Sequence, residues 1–323
     1  MAIAHGFSAM LGVGSEVTLG TPVASTQKIC FISETLSEKI NEVLDNSLCG
    51  SAARGIGQPG TRIISGGFVF PWRTGLALIP LQKFFGTFAE DTPTTGQNTY
   101  SLDPSIDGDG YTVAIDKQVA VYEWAGFKAS SLTITGIPSD GVRIALDGFA
   151  ISLSLTSVIN TTGVLEALDE EGDIILFQDT TFRIRDLSDT LDSGDDIDIS
   201  QFSIELNRQL EPVEINSHNR TEALENGFRE STLKITIPQY ANDYFVDAHR
   251  NHTPLQFQAI ITNGSAVKTI QAPKLIVTEY TNSISGPTFV PMEVTLQIIP
   301  DPEGTNTHMT LQDTLSELEI IEE

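Results

Sequence analysis

Few residue types in this chain are spaced for chemistry. His249 and His252 stand about one helical turn apart and could share a metal, with His218 or His308 as remote third ligands. Nothing nearby supplies a third ligand, so the simpler reading is a pair of exposed helix histidines. Asp103, Ser105, Asp107 and Gly108 resemble the start of a calcium loop. The twelfth position is Ala114, where calcium needs a bidentate Glu, so an Asx-rich turn fits better. Gly55, Gly57 and Gly60 satisfy the dinucleotide pattern, but no helix follows and no acid sits about twenty residues on. Asp192, Asp195, Asp196 and Asp198 could hold a cation, with a solvated acidic loop as the default.

A nucleophile elbow, a phosphate-binding Walker loop, a zinc-protease HExxH and a CxxC pair are all missing from the sequence. Carboxylates are so numerous that no acid/base pair of a glycosidase can be singled out. Cys30 and Cys49 are the only cysteines, too few for a disulfide framework, and read as free thiols. The expectation is a protein that is not an enzyme and holds neither cofactor nor metal.

The elements that would carry any function are arranged as a repeat. Leu36 to Leu44, a Gly-rich loop, Ile63 to Pro71 and a helical run ending near Phe88 form the first copy. Phe202 to Leu210, a polar loop, Leu233 to Pro238 and a helical run ending near Asn251 form the second. Leu36, Ile40 and Leu44 fall on Phe202, Leu206 and Leu210 at an offset of 166, and Pro71 falls on Pro238 at 167. Leu36 to Leu44 alone has helical spacing. Its counterpart alternates Phe202, Ile204 and Leu206 with Ser203, Glu205 and Asn207, the period of a half-buried strand, so both copies read as strands.

The intervening loops, Asp45 to Thr61 and Glu211 to Arg229, are long and polar and read as projecting arms. Each following strand is stopped by its proline, and Thr74 to Phe88 and Gln239 to Asn251 read as short amphipathic helices. Phe88 to Asp109 reads as an irregular insertion. Further strands are expected at Thr112 to Ile115, Val119 to Trp124, Leu132 to Thr135, Val142 to Leu155, Leu275 to Val277 and Val290 to Ile298. Apolar residues change parity within Val142 to Leu155, so a bulge is expected near Asp147 and Gly148.

At 323 residues the chain has room for two domains, and 40% hydrophobic content excludes wholesale disorder. The fold class is mainly β, two tandem β-sandwich or barrel units with one flanking helix each. The expected division is an extended arm over 1–28, units over 29–163 and 164–300, and an acidic tail over 301–323. Residues 164–200 hold twelve acids against Arg183 and Arg185. Leu311 to Glu323 reads equally as helix or solvated tail. The 43 acids against 18 bases, a net charge of −25, exclude a protein built to grip phosphate, although a surface that repels it suits DNA that must slide. Met1 to Ala9 has no basic region or apolar core, so no signal peptide is expected, and no apolar run approaches the roughly 18 residues that span a bilayer.

Gly14, Glu16, Thr18, Gly20, Thr21, Pro22 and Val23, in GVGSEVTLGTPV, resemble the opening of the two-domain tail tube proteins of long-tailed bacteriophages. Val17 between Glu and Thr, and Leu19 where an aromatic is common, depart from the pattern. The resemblance continues through both strand, loop, strand and helix units. It implies a structural virion subunit that self-assembles into stacked rings around a channel for double-stranded DNA; the duplication suggests a trimer with pseudo-sixfold symmetry, with six chains per ring as the open alternative. It also implies tape-measure and tail-end partners, assembly in the host cytoplasm and no membrane. Inner sheets of neighbouring subunits would join around the lumen.

If the apolar parity faces the core, the lumen receives Ser203, Glu205, Asn207, Gln209, Lys234, Thr236, Glu293, Thr295 and Gln297 from the second unit, and Ser37, Lys39 and Asn41 from the first. Arg54, Arg62, Arg220 and Arg229 in the two loops are expected to pair with acids of an adjacent ring or subunit. A β-rich virion adhesin and a contractile-tail or secretion-system inner tube are the alternatives.

Overall fold

The computed structural model describes the chain except residues 1–4, 45–56, 75–77, 91–96, 103–109, 170–171, 214, 216, 218–220, 265, 285, 287–288, 301–308 and 315–323. The fold is mainly β, as expected. Strands β1 (Met10–Ser15), β2 (Gln27–Ile29), β3 (Ser33–Glu34), β4 (Ser37–Val43) and β5 (Gln58–Pro71) lead to helix α1 (Leu78–Phe85). Next come β6 (Gly86–Glu90), β7 (Gln97–Leu102), β8 (Tyr111–Asp116), β9 (Val121–Gly136), β10 (Arg143–Ala150), β11 (Ser152–Ser154) and the short α2 (Thr162–Glu166). Strands β12 (Thr180–Asp186), β13 (Gln201–Asn207), β14 (Leu210–Pro212), β15 (Ala223–Glu225) and β16 (Glu230–Ile237) precede α3 (Tyr244–Asn251). The chain finishes with β17 (Leu255–Asn263), β18 (Ala266–Thr281), β19 (Met292–Ile298) and β20 (Thr310–Thr314).

All pairings are antiparallel. One run of neighbours is β4, β5, β10, β9, β13, β16, β19, β18. A second is β2, β1, β8, β9, β11, and a third is β12, β17, β18, β20, β7, β6. The 16-residue strands β9 and β18 therefore each serve two sheets, pairing with one set of neighbours in the first half and another in the second. Helix α1 packs on β9 and α3 on β18. Both helices lean on the strand that bends.

The same pairing scheme occurs twice, down to its irregularities. In β9, Ser130 is skipped opposite Asp147 and Gly148. In β18, Thr278 is skipped opposite Thr295 and Leu296, each of these residues lying 148 positions after its counterpart. A second shift separates Tyr111–Phe127 from Val113–Trp124, and its twin separates Leu255–Leu275 from Phe257–Ala272. Extra residues in a ladder bend the strand and increase its twist, which lets one strand pass between two sheets. Gly126, at φ +66, lies inside the second shift, where only a residue without Cβ reaches that conformation cheaply. At Gly148 a Cβ would fall 2.1 Å from the Lys128 carbonyl oxygen, so a side chain would push β9 and β10 apart.

These twins correct the alignment of the copies. Phe68 and Ile235 are 167 residues apart, as the two prolines are, yet their neighbours across the ladder, Glu34 and Phe202, are 168 apart. The offset along the first strand is thus 168 rather than 166. Leu36 answers Ile204, and both side chains are buried. The expected bulge at Asp147–Gly148 is present, with the extra residue supplied by the partner strand β9.

Other expectations change. The stretch read as an extended arm contains β1, whose Leu11 and Val13 are buried between β2 and β8. Its apolar residues were few but spaced two apart, enough for a central strand. The supposed insertion after Phe88 forms the β6–β7 hairpin, and Thr310–Thr314 of the supposed tail is a strand between β18 and β7. Both helices are shorter than expected, and the second polar loop contains the β14–β15 pair. The strand expected over Val119 to Trp124 begins at Val121 and is continuous with Leu132 to Thr135 in the one strand β9. Among the described residues no helix is long and apolar enough to cross a membrane.

Candidate functional site

Alternation along β13, β16 and β19 separates two faces. Phe202, Ile204, Leu206, Leu233, Ile235, Val294 and Leu296 are buried on one side. The other side is polar, and directly opposed residues of an antiparallel ladder share a face, so the register reads it row by row. Ser203 lies between Thr135 and Lys234, followed by Thr295 and Glu279. Glu205 lies between Thr133 and Thr232, followed by Gln297. Asn207 lies between Ser131 and Glu230, while Thr236 and Glu293 face each other beside Thr281.

Eight of the nine candidates from the second copy therefore share one face. Gln209 leaves it. Its N–H donates to Asn207 Oδ1 at 2.8 Å and its backbone turns left-handed at φ +54, which ends the alternation. In the first copy, Ser37 faces Ser65 and Lys39 faces Ile63, whereas Asn41 falls in a register shift and donates to Thr61 Oγ1 at 3.3 Å.

The register adds residues that alternation within one copy did not name. Asp147, Arg143, Ser131, Thr133 and Thr135 of β9 and β10 continue the same face across the first copy. The doubled closing strands held the signal, because β10 and β19 are counterparts. Arg143 pairs with Asp140, while Lys234 is an exposed cation amid Glu205, Glu230, Glu279 and Glu293.

The loop arginines fare differently. Arg54 and Arg220 lie outside the described residues. Arg62, about half-exposed, approaches Glu38 at 3.4 Å across the β4–β5 hairpin. Arg229 is committed inside its own chain: its guanidinium is 4% exposed and bonds Glu225 at 2.7 and 3.0 Å. Arg208 meets the same carboxylate at 2.9 Å and donates to the Phe84 carbonyl at 3.3 Å, tying this segment to α1. Polar alternation hid this pair, since Arg208 occupies a core-side position of β13's parity.

The other chemical candidates are not brought together. His249 and His252 have ring centroids 6.5 Å apart, and His249 packs edge-on against Tyr280. His218, His308, Gly55, Cys49 and the Asp103 to Gly108 stretch lie outside the described residues, while Gly57 precedes strand β5 and Gly60 lies within it. Asp192 and Asp195 cap each other's turn, while Arg185 holds Asp189 and Asp195 and Arg183 holds Asp196. Among the described residues no three metal-ligating side chains converge. What the chain offers is a broad polar sheet face with open edges, a surface suited to assembly.

The profile of the phage tail tube protein family matches residues 6–297. The chain belongs to that family. As a phage tail tube protein it is a structural component of a virion. No curated protein matches its sequence. Among solved structures, a chain from the virion of a native gene transfer agent particle is similar at 18% identity, covering 38% of the tail tube protein and 91% of that chain, with a TM-score of 0.28. A likeness that small carries no argument about either molecule.

Proposed function

We propose that three copies of this tail tube protein close into a ring of six repeats, that the rings stack, and that the polar face lines a channel through which double-stranded DNA leaves the virion. The observation that carries this reading is the junction of β9 with β13. There the two copies of the fold join edge to edge in one continuous ladder, from Phe202 opposite Gly136 to Asn207 opposite Ser131. A chain that already joins one repeat to the next needs only to repeat the operation to close, and the closure removes edges that would otherwise invite aggregation.

On this reading Ser37, Lys39, Ser203, Glu205, Asn207, Lys234, Thr236, Glu293, Thr295 and Gln297 face the lumen, together with Asp147 and Arg143. With Glu230 and Glu279 on the same face, five carboxylates stand against Lys39, Lys234 and Arg143, and this surplus disfavours lasting contact with phosphates, so DNA slides. Each unit starts with its first paired strand, β1 or β12, which moves the first boundary into the stretch read as an arm. Lateral contacts use sheet edges, so strand ends are left for axial contacts. Phe228 is 95% exposed beyond one end of β16, while Ile284 and Phe289 are 80% and 76% exposed beyond the other. Dissimilar apolar ends make a head-to-tail contact that propagates. Tape-measure and tail-end proteins are the further partners, and assembly takes place in the host cytoplasm.

Negative-stain microscopy of the purified full chain tests the proposal. The expected result is rings or tubes whose end-on averages show threefold symmetry with six lobes. Monomers at every concentration and ionic strength would overturn it.

A further inference from the structure

We infer that β4 of one copy pairs antiparallel with the free edge of the last part of β18 in the next copy, in a register that sets Lys39 opposite Glu279. The inference deepens the ring proposal and rests on it. Among the described residues, the second half of β18 pairs on one side only, with β19, and β4 pairs on one side only, with β5. These are the two ends of the eight-strand run, and one end is the counterpart of a junction already made inside the chain.

The junction of β9 with β13 supplies the register. Glu205 faces Thr133 and Asn207 faces Ser131. Thr133 and Ser131 correspond to Thr281 and Glu279, 148 positions on, by the coincident bulges at Ser130 and Thr278. Glu205 and Asn207 correspond to Ser37 and Lys39, 168 positions back, by the shared pairing of Glu34 and Phe202 with Phe68 and Ile235. Carrying both correspondences across the boundary sets Ser37 of one copy opposite Thr281 of the next, and Lys39 opposite Glu279.

Charge supports the register independently. The internal junction has a neutral pair, Asn207 and Ser131, at the position where the external one acquires opposite charges. Lys39 and Glu279 are both exposed, and neither is engaged in an ion pair among the described residues. Opposite charges directly across a ladder stabilise it, and like charges there destabilise it. A two-residue slip would set Lys39 against Thr281 and leave Glu279 without that partner. The charged pair thus discriminates the register.

The test uses the full chain with K39E, E279K and the K39E/E279K combination. Each single change places like charges at every junction of the ring, so the assembled fraction at a fixed concentration should fall about tenfold, while the double change should restore it to within about twofold. Circular dichroism of the dispersed protein verifies that each variant folds. A second arm uses S37C/T281C with a short bismaleimide, against single-cysteine and unaltered controls for Cys30 and Cys49. Covalent species ending at three chains are expected. Rings that assemble normally in both single variants, or S37C/T281C rings that give no cross-linked species beyond the controls, would overturn the junction while leaving the tube. Failure of the unaltered protein to form rings would overturn the tube and the junction with it.

Discussion

Ile134 of β9 lies directly opposite Ile204 of β13, and both side chains are buried where the two repeats become one sheet. The next residue, Glu205, points to the other face. Ile204→Ala should cost about 2–5 kcal/mol through lost apolar contact and a cavity. Glu205→Gln should stay within about 0.5 kcal/mol. Urea unfolding with an unchanged slope checks this, and equal losses would reject the assignment of faces.

How much of this was readable from residues alone varies by element. The alternation of Phe202 to Asn207 gave both the strand and its two faces, because β13 is buried on one side and solvated on the other. Strand β1 was missed because two apolar residues, Leu11 and Val13, suffice for a strand whose neighbours supply the rest of the burial. Alignment of the copies on Leu36 and Phe202 was two residues out, since equivalent positions hold Glu34 and Phe202, whose side chains share no chemistry. The face survived that error because side chains alternate with period two. The partnership of Arg208, Arg229 and Glu225 was not legible, as it joins a strand, a loop and α1 through the fold.

Glu225 accepts from both Arg208 and Arg229, whose guanidinium groups are 2% and 4% exposed. Removing the shared carboxylate deletes an ion pair that both buried arginine side chains make. Glu225→Ala should therefore destabilise the monomer by about 3–5 kcal/mol. Thermal unfolding of the dispersed chain measures this, and a change below about 1 kcal/mol would show that solvent reaches the pair.

Two phenols link stability to alkaline pH. Burial pushes Tyr111 well above its ordinary value of 10.0, and its hydroxyl has no hydrogen-bond partner among the described residues. Burial, and then the hydrogen bond to Asp186, also raises Tyr244. A raised folded-state value favours the protonated form, so the contribution is complete below the unfolded value near pH 10 and is lost as pH rises above it. Stability should fall progressively above about pH 10. Absorbance at the phenolate band should show these tyrosines ionising only with unfolding, and early titration of all tyrosines would contradict their burial.

Phe228 sits two residues before β16, beyond the Asn207–Glu230 end of the sheet. Ile284 and Phe289 lie beyond the opposite end, marked by Thr281 and Glu293. Phe228→Ser removes an exposed ring that supports no core, so the fold and the lateral ring should persist while tubes shorten or vanish. Sedimentation of assembled material separates rings from tubes. Tubes of unchanged length would remove Phe228 from the axial contact.

Glu205 and Glu293 carry the last prediction, because both stand on the polar face and neither is needed by the core. Reversing both to Lys turns each from a group that repels phosphate into one that attracts it, and in the proposed ring every copy carries the change. Each phosphate held by a cation releases condensed counterions, so the added friction should be strongest at low salt and weaken as salt rises. Tails assembled from E205K/E293K should therefore look normal in the microscope yet release DNA more slowly, with the deficit shrinking at high ionic strength. A salt-independent slowing would point to altered packing, and unchanged release at all ionic strengths would mean that this face does not meet the DNA.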